Sequence, residues 1–494
     1  MVVGRDTAAA RAFLHWELEF PEVFYDEQGQ RRPDAGFDAV LGNPPWDVVR
    51  ADSGDATLRG DRRHHAAQLV AFVRDSGVYA ASASRSHTNR YQLFVERALQ
   101  LSKPGGRIGL VLPSGVATDT GGGPLRRRLF DRASVGRIVG LDNRAGIFPI
   151  HRGLRFVLLT ATAGGRTEQV SCRFGVSALD QLDVADDPPG DLPGGPPGGP
   201  LGPARMSDVL LSRALIERLS GDDDLGIPEI ASGTDLLIVE HIASTTPRLG
   251  AREGWHAQFG RELNASDDRK FFVAASGDQI ARVVLEGKQI GPFRVDLGGC
   301  RYELSAEAAG TLRVPRRTRL AYRDVASATN RLTLIAAMVP ARAVTTHTLF
   351  VLRTVLPHAR QLVLCALLNS YVANYLIRMR VNTHVTASLM ARLPVPVPAP
   401  GGPSERLAFL AEVCLSAASP VESMEEYAEL QARAARLYGV REDEFRHVLS
   451  TFPLVPQDVK SRSLAHFDNL RSHRREGDPG RSTRAARPHK TGAV

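Results

Sequence analysis

The feature that most constrains this chain is a stretch between Pro188 and Pro203 in which thirteen of sixteen residues are Pro or Gly. Proline lacks a backbone donor and glycine has no side chain to bury, so this composition favours neither helix nor sheet and is typical of an extended linker. A second Pro-rich break lies at residues 393–402. We therefore predict five segments: a first domain (1–165), a linker (166–205), a second domain (206–400), a helical segment (401–470) and a disordered basic tail (471–494).

Upstream of the linker, short apolar runs alternate with amphipathic stretches. Phe37–Leu41, Arg107–Leu112 and Val135–Leu141 are typical of strands, whereas Tyr91–Leu101 has the spacing of a helix. This alternation predicts an α/β fold with a parallel, Rossmann-like sheet and right-handed crossovers. For the rest of the chain we predict a mixed α+β domain followed by helices.

Composition excludes several classes of protein. The 494 residues have a net charge of +8 and a pI of about 9.6. Seven basic and two acidic residues lie between Arg471 and Val494 (7 − 2 = +5), so the rest of the chain is nearly balanced. No apolar run reaches the roughly 18 to 20 residues of a membrane helix and no secretory signal is recognisable, so we expect a cytoplasmic protein without a membrane partner. The four cysteines are too widely spaced for a metal or redox pair, and we predict no metal site.

The sharpest local signal is Asn43-Pro44-Pro45-Trp46, directly after the strand-like run Phe37–Leu41. Two prolines fix φ and remove two backbone donors, so the segment is a rigid turn whose carbonyls remain available as acceptors. An exocyclic amine on a flat heterocycle fits this turn, because the amine can donate to the Asn43 side chain and the Pro44 carbonyl while the ring stacks on Trp46. The alternative is an ordinary Pro-Pro turn whose tryptophan fills the core. The position at a strand end favours the binding site.

The segment 37–46, with an acidic second residue, resembles the catalytic loop of adenine-N6 DNA methyltransferases. The flanking segments 13–24 and 103–114 resemble the large restriction-modification methylases of the Eco57I type, which are type IIG-like and include phage-defence methylases. Four later segments resemble the target-recognition half of such enzymes: 259–269, 286–290, 322–326 and 367–370. The resemblance covers most of residues 10–400.

The resemblance implies that a partial Rossmann-like methyltransferase domain moves a methyl group from S-adenosylmethionine to N6 of an adenine in double-stranded DNA. The target base must leave the stack, which costs about a few kcal/mol, because its amine is inaccessible in the duplex. The implied catalytic residues are Asn43, Pro44, Pro45 and Trp46. Asn43 and Pro44 accept hydrogen bonds from the amine and Trp46 holds the ring, so catalysis rests mainly on positioning and electrostatics.

One part of the family pattern is missing. Related methylases place their cofactor segment, a strand followed by a Gly-rich turn and a helix, upstream of the Asn-Pro-Pro loop. Here 42 residues precede Asn43, and their four glycines, Gly4, Gly29, Gly36 and Gly42, form no G-x-G. We therefore expect an N-terminally incomplete methylase that needs a separate subunit for the cofactor pocket, and we assign no cofactor-binding residue. Two alternatives stay open: a non-catalytic DNA-recognition subunit or truncated remnant, and a methylase of protein glutamine.

Candidate DNA contacts are arginines of the second domain, because planar guanidinium groups suit phosphate and base-edge recognition. The predicted DNA-binding residues are Arg316, Arg317, Arg323, Arg378 and Arg380. Residues 382–384 (Asn-Thr-His) are further candidates for contacts with the duplex backbone. Glu286-Gly287-Lys288, with Asp278 upstream, has the Glu-x-Lys spacing of a nuclease strand. An exposed turn is the favoured interpretation, and we predict no cleavage.

Overall fold

The structure is a computed structural model that describes residues 14–47, 59–79, 82, 89–149, 151–182, 208–221, 223–275, 282–312, 315–327, 329–381, 383–418 and 420–476. The Pro/Gly stretch at 188–203, the tail from residue 477, Asp278 and Asn382 lie outside these described residues. The chain divides into two compact units, Met1–Ala243 and Ser244–Val494. Within the described part of the chain, no helix is long and apolar enough to cross a membrane.

The first unit is built on a six-stranded sheet. Its strands are β1 (Phe37–Gly42), β2 (Ser102–Pro113), β3 (Ala133–Asp142), β4 (Arg155–Ala163), β5 (Gln169–Val176) and β6 (Val209–Ser212). The helices are α1 (Trp16–Glu19), α2 (Pro21–Phe24), α3 (Arg59–Asp75), α4 (Arg90–Leu101), α5 (Gly115–Thr118), α6 (Gly123–Arg132), α7 (Arg213–Ser220) and α8 (Gly233–Thr245), which runs into the second unit.

The strand order is β1-β2-β4-β3-β5-β6. β1 pairs with β2, and β3 with β5, in parallel, so β1, β2 and β3 all end at the same edge of the sheet. The α/β class and its parallel strand pairs are therefore confirmed. The sheet is mixed rather than wholly parallel, since β4 and β6 run antiparallel to their neighbours. The described residues of the loop between β3 and β4 (143–149 and 151–154) contain no α-helix. Without a crossover helix between them, two consecutive strands pair antiparallel.

The sheet continues past residue 165, where the sequence analysis places the end of the first domain. β5 lies inside the predicted linker, and β6 lies beyond its end. The reason is visible in Gln169–Val176, whose apolar residues 170, 172, 174 and 176 alternate with others and are buried. This period of two is the pattern of a strand buried on one face.

The second unit combines two small sheets with C-terminal helices. Its strands are β7 (Phe259–Gly260), β8 (Phe272–Ala274), β9 (Val283–Leu285), β10 (Ile290–Gly291), β11 (Arg294–Val295), β12 (Tyr302–Leu304), β13 (Arg319–Arg323), β14 (Ala336–Val339), β15 (Val344–Thr345) and β16 (Leu349–Leu352). One sheet has the order β15-β9-β12-β8, the other β14-β13-β16-β7, and β10 pairs with β11. Ala321, Ala337 and Val351 of the second sheet pack on Val283 and Leu285 of the first, forming a shared core.

The helices of this unit are α9 (Ala306–Thr311), α10 (His358–Leu368), α11 (Tyr371–Arg378), α12 (Ala387–Ala391), α13 (Gly402–Leu415), α14 (Glu425–Leu437), α15 (Glu442–Ser450) and α16 (Gln457–Glu476). Helical spacing continues from α10 to α11, yet the helix breaks at Asn369. Ser370 caps α11, because its hydroxyl accepts a hydrogen bond from the Ala373 N–H at 3.2 Å. The break lets the buried Asn369 side chain bind the Ala336 backbone of β14.

Candidate functional site

The segment Asn43-Pro44-Pro45-Trp46 directly follows β1, at the carboxyl end of this strand. Pro44 is buried, Trp46 is half-buried, and Asn43 and Pro45 are exposed. No hydrogen bond engages the Asn43 side chain within the described residues. The turn thus holds an accessible amide beside a partly accessible indole, at the sheet edge where α/β folds bind ligands.

Trp46 is fixed by the sheet. Its indole Nε1 donates to the Val111 carbonyl of β2 at 3.4 Å, and its ring lies 6.0 Å from the Phe156 ring of β4 at an angle of 30°. It also packs against the core that contains Leu141 and Val176. The tryptophan therefore fills the edge of the core, as the structural alternative requires, while part of it stays accessible.

Phe148 is a second aromatic residue at this edge, and the sequence analysis did not select it. Its ring is 42% exposed and lies 5.0 Å from Phe156, nearly perpendicular to it. The buried Asn143 holds the Phe148 backbone, accepting from its N–H at 2.9 Å and donating to its carbonyl at 3.2 Å. The signal was present: Asn143 directly follows β3, whose end lies at the same edge as the end of β1.

Ion pairs hold the strand and the loop in place on each side. Asp47, the residue after Trp46, accepts from the Arg90 N–H at 3.1 Å and pairs with the Arg90 guanidinium at 3.3 Å, at the start of α4. On β1, the Lys103 ammonium lies 2.5 Å from the Asp38 carboxylate and lowers the pKa of that carboxyl. One ion pair therefore links β1 to the start of β2, and the other links the end of the loop to α4.

Apolar side chains are exposed on and near β1, an edge strand. Within the described residues β1 pairs with β2 alone, and it lies at the end of the sheet. Leu41 is 81% exposed and Leu18 is 76% exposed. Phe37, at the start of β1, is surrounded by aromatic rings of the two preceding short helices at 5.5 to 5.6 Å. An unpaired strand edge beside exposed leucines is a typical surface for strand addition.

The described residues do not complete a pocket for S-adenosylmethionine. Next to the Asn43 loop they offer no strand that leads through a Gly-rich turn into a helix, and the open side of β1 faces solvent. The same residues contain no group of three or more His, Cys, Asp or Glu side chains that could hold a metal ion. The four cysteines are buried free thiols, and burial raises the pKa of Cys300 to about 11.

The predicted DNA-binding arginines fall into two groups. Arg316 and Arg317 are exposed and line a cleft of about 890 Å³, together with Arg353 of the strand region after β16. Neither Arg316 nor Arg317 has an ion pair within the described residues. Their charges are therefore available to an anionic partner.

Arg378, Arg380 and Arg323 are placed differently. The Arg378 guanidinium donates to the Thr333 hydroxyl and to three backbone carbonyls, and it stacks 4.0 Å from the centre of the Phe452 ring. Burial lowers the pKa of Arg378 to about 10. Arg380 is 9% exposed and donates to the Arg392 carbonyl, whereas Arg323 is half-buried. The guanidinium groups of Arg378 and Arg380 therefore donate to groups of the second unit itself.

Glu286 lies in a turn. Its carboxylate accepts two short hydrogen bonds from the Arg301 guanidinium at 3.0 Å and lies 3.3 Å from the Lys288 ammonium. Hydrogen bonds from Arg301 and Lys288 outweigh the opposing effect of burial, so the pKa of Glu286 is lowered. Glu286 is thus half-buried and ion-paired, and Gly287 and Gln289 beside it are buried, so this turn is less exposed than predicted from the sequence.

Several solved structures are similar to parts of this chain. The structure of the type IIL restriction-modification enzyme MmeI in complex with DNA has a TM-score of 0.46 and 11% identity, covering 88% of this chain and 57% of that chain. The type IIG restriction endonuclease BpuSI has a TM-score of 0.31 and 12% identity, covering 85% of this chain and 55% of that one. A modification subunit of a putative type I restriction enzyme from Vibrio vulnificus YJ016 has a TM-score of 0.21 and 17% identity, covering 31% and 28%.

This chain therefore spans little more than half the length of the first of these proteins. The family model that matches is that of the Eco57I restriction-modification methylase, and its match begins at residue 4 and ends at residue 148. This range contains the Asn43 loop, β1, β2 and β3. The resemblance inferred from the sequence is thus confirmed for this segment: residues 4–148 match the Eco57I restriction-modification methylase family.

Proposed function

We propose that this chain is a site-specific DNA methyltransferase that transfers a methyl group from S-adenosylmethionine to adenine N6. We place it in a restriction-modification or phage-defence system acting in the cytoplasm. The observation that carries the proposal is the Asn43 loop, an accessible amide at the carboxyl end of β1 beside a half-buried Trp46. The family match over residues 4–148 supports the methylase class.

The loop explains how the target amine is held. The Asn43 side-chain oxygen and the Pro44 carbonyl accept its two hydrogens, which keeps the nitrogen lone pair directed away from the loop and favours the positive charge that develops. Trp46, fixed on Val111, and Phe148, fixed on Asn143, offer aromatic surface to the flipped ring. S-adenosylmethionine supplies the methyl group, and its pocket requires residues beyond those described here.

The open side of β1 is a place where a further strand of that pocket can join the sheet. A parallel strand that joins β1 on its free side would satisfy its unpaired backbone groups and cover Leu41. It would also bring a second strand end next to Asn43. We propose that a separate subunit carrying the cofactor-binding segment docks here through such a strand.

Double-stranded DNA is the proposed partner of the second unit. We propose that Arg316 and Arg317, together with the accessible part of Arg323, contact phosphates, because the first two are exposed beside a cleft and have no competing ion pair within the described residues. Arg378 and Arg380 are assigned to packing within the unit, since their guanidinium groups contact its own backbone.

The experiment is transfer of a labelled methyl group to unmethylated DNA by the purified chain, alone and with the polypeptide encoded directly upstream. Label at adenine N6 that disappears with Asn43→Ala supports the proposal. Asn330→Ala is the matched control, since Asn330 is another exposed asparagine, in the second unit. Label at another base or on protein contradicts the adenine assignment.

A non-catalytic recognition subunit is the second candidate, favoured because the described residues next to the Asn43 loop offer no strand that leads through a Gly-rich turn into a helix. It predicts DNA binding by the purified chain without methyl transfer in either mixture.

A further inference from the structure

Arg261 holds an unusual position in the second unit. It directly follows β7, and its guanidinium lies 4.8 Å from the centre of the Phe350 ring of β16. Nη2 donates to a carboxylate oxygen of Asp324 at 2.9 Å. Its side chain nevertheless stays 49% exposed. The guanidinium is thus fixed in one plane while part of it faces solvent.

Asp324 is a buried carboxylate that lies close to two surface residues, Arg261 and His384. Its side chain is only 4% exposed, and its backbone is held by hydrogen bonds with Thr348 and Val385. The second carboxylate oxygen lies 3.3 Å from Nδ1 of His384 and accepts no hydrogen bond within the described residues. The His384 ring is 51% exposed. A buried carboxylate therefore orients an arginine at the surface and lies 3.3 Å from an exposed histidine.

We propose that Arg261, oriented by Asp324, and the neighbouring His384 form a base-reading site for duplex DNA. The proposal rests on the DNA-binding function proposed above and extends it to residues that the sequence did not select as a pair. Two parallel N–H donors of a guanidinium match the O6 and N7 acceptors of guanine in the major groove. A donor group that is already fixed loses little conformational entropy on binding, which favours readout of a single base.

Charge separates this site from a phosphate contact. Asp324 neutralises most of the Arg261 charge, so long-range attraction to phosphate is weakened and the oriented N–H donors remain. Arg316 and Arg317 show the opposite arrangement, being exposed without an ion pair within the described residues. The second unit thus holds cations suited to phosphate and an oriented arginine suited to a base edge.

A purely structural role for Arg261 is disfavoured by comparison with Arg319 on the same sheet. Arg319 binds both carboxylate oxygens of Glu262 and also donates to the Pro340 and Ala343 carbonyls. Its side chain is 11% exposed and that of Glu262 is 9% exposed. Arg261 has one hydrogen-bond acceptor within the described residues, and half of its side chain faces solvent.

The test is selection of duplexes from a randomised pool by the full chain, followed by sequencing of the bound fraction. Arg261→Lys keeps a positive charge beside Asp324 but removes the planar fork, and Arg261→Gln removes the charge as well. Arg406→Gln is the matched control, because Arg406 also stacks on a phenylalanine, Phe409, and pairs with a carboxylate, Glu429. Unfolding midpoints verify that each variant folds.

We expect both Arg261 variants to lose preference for one base of the selected site by roughly 5- to 150-fold, with guanine as the base that wild type prefers there. Arg261→Lys should retain the affinity of wild type for non-selected duplexes, and Arg406→Gln should select the wild-type site. Uniform weakening on all duplexes would identify a phosphate contact and overturn base reading. An unchanged site in both Arg261 variants would also overturn it. Failure of wild type to enrich any site would instead refute the proposed sequence-specific DNA binding and this inference with it.

Discussion

Two asparagines, Asn43 in the first unit and Asn374 in the second, are used in opposite ways. Asn43 in the first unit is exposed, and its amide has no hydrogen bond within the described residues. Asn374 in the second unit is fully buried, and its side chain accepts from the Thr333 and Leu334 N–H groups at 2.8 Å and donates to the Leu334 and Ser370 carbonyls. The same side-chain amide therefore binds the surrounding backbone at Asn374 and remains available to a ligand at Asn43.

The arginines of the second unit repeat this contrast. Arg378 donates to four acceptors and stacks on Phe452, whereas Arg261 donates to Asp324 and keeps half of its side chain in solvent. A polar group whose hydrogen bonds are all internal contributes to the free energy of unfolding. A polar group that the fold holds in place, but whose hydrogen-bonding capacity is not used up within the protein, is available to bind a ligand. Substitutions at the two kinds of position should separate stability from function.

Asn43→Ala should have the largest effect, on methyl transfer. Loss of an acceptor aimed at the amine should lower the rate at least roughly 100-fold, while DNA binding and the unfolding midpoint stay close to those of wild type. The measurement is label transfer under the conditions in which wild type is active, alongside a urea titration. If Asn43→Ala unfolds at a lower urea concentration than wild type but transfers methyl groups at the wild-type rate, Asn43 is a structural residue, as Asn374 is.

Asn374→Ala should have the largest effect on stability. It leaves two buried N–H groups and several carbonyls without partners, so we expect the free energy of unfolding to fall by about 3 to 5 kcal/mol. Urea denaturation followed by circular dichroism measures this change, with Asn330→Ala as the exposed control. Equal midpoints for the two variants would show that the buried amide network contributes little.

Much of the first unit could be predicted from sequence, because local signals agreed with the fold. Apolar runs marked β1, β2 and β3, and helical spacing marked α4 up to its end at Leu101. Apolar runs alone could not predict that β4 is antiparallel to its neighbours, nor that the sheet continues through β5 and β6. Strand direction depends on whether a crossover helix intervenes, and the assignment of a linker depended on composition rather than on alternation.

In the candidate site, too, features set by neighbouring residues could be predicted, whereas features set by tertiary contacts could not. The Asn43 loop could be predicted because the two prolines and the strand end lie together in the chain. Phe148 was missed because it lies in the loop after β3, and its position depends on the buried Asn143 and on packing against Phe156 of β4 rather than on a motif of its own. The burial of Arg378 was also missed, since Thr333 and Phe452 are distant in sequence and nothing near Arg378 indicates them. Contacts between distant residues decide whether a cation is available.

Leu41→Asp should separate assembly from stability in the first unit. Leu41 is 81% exposed, so the change should alter the free energy of unfolding by less than about 0.5 kcal/mol. A charge on the open side of β1 should nevertheless weaken binding of the upstream polypeptide at least roughly tenfold, because the charge would be buried against an added strand. Titration calorimetry with that polypeptide measures the affinity. Unchanged affinity would mean that the partner binds elsewhere.

Glu429 offers the smallest effect, at an ion pair on the surface of the second unit. Hydrogen bonds from Arg406 and then Arg433 hold the pKa of Glu429 at about 2, below its ordinary value of 4.5. Because the folded-state pKa is lowered, this stabilisation is complete above pH 4.5 and is lost as the pH falls towards 2. Glu429→Gln should therefore lower the free energy of unfolding at pH 7 by less than about 1 kcal/mol, since water screens the pair, and by less still at pH 3. Urea midpoints of wild type and variant at both pH values measure the change. A difference that stays constant between pH 7 and pH 3 would show that the lost contact is packing rather than charge.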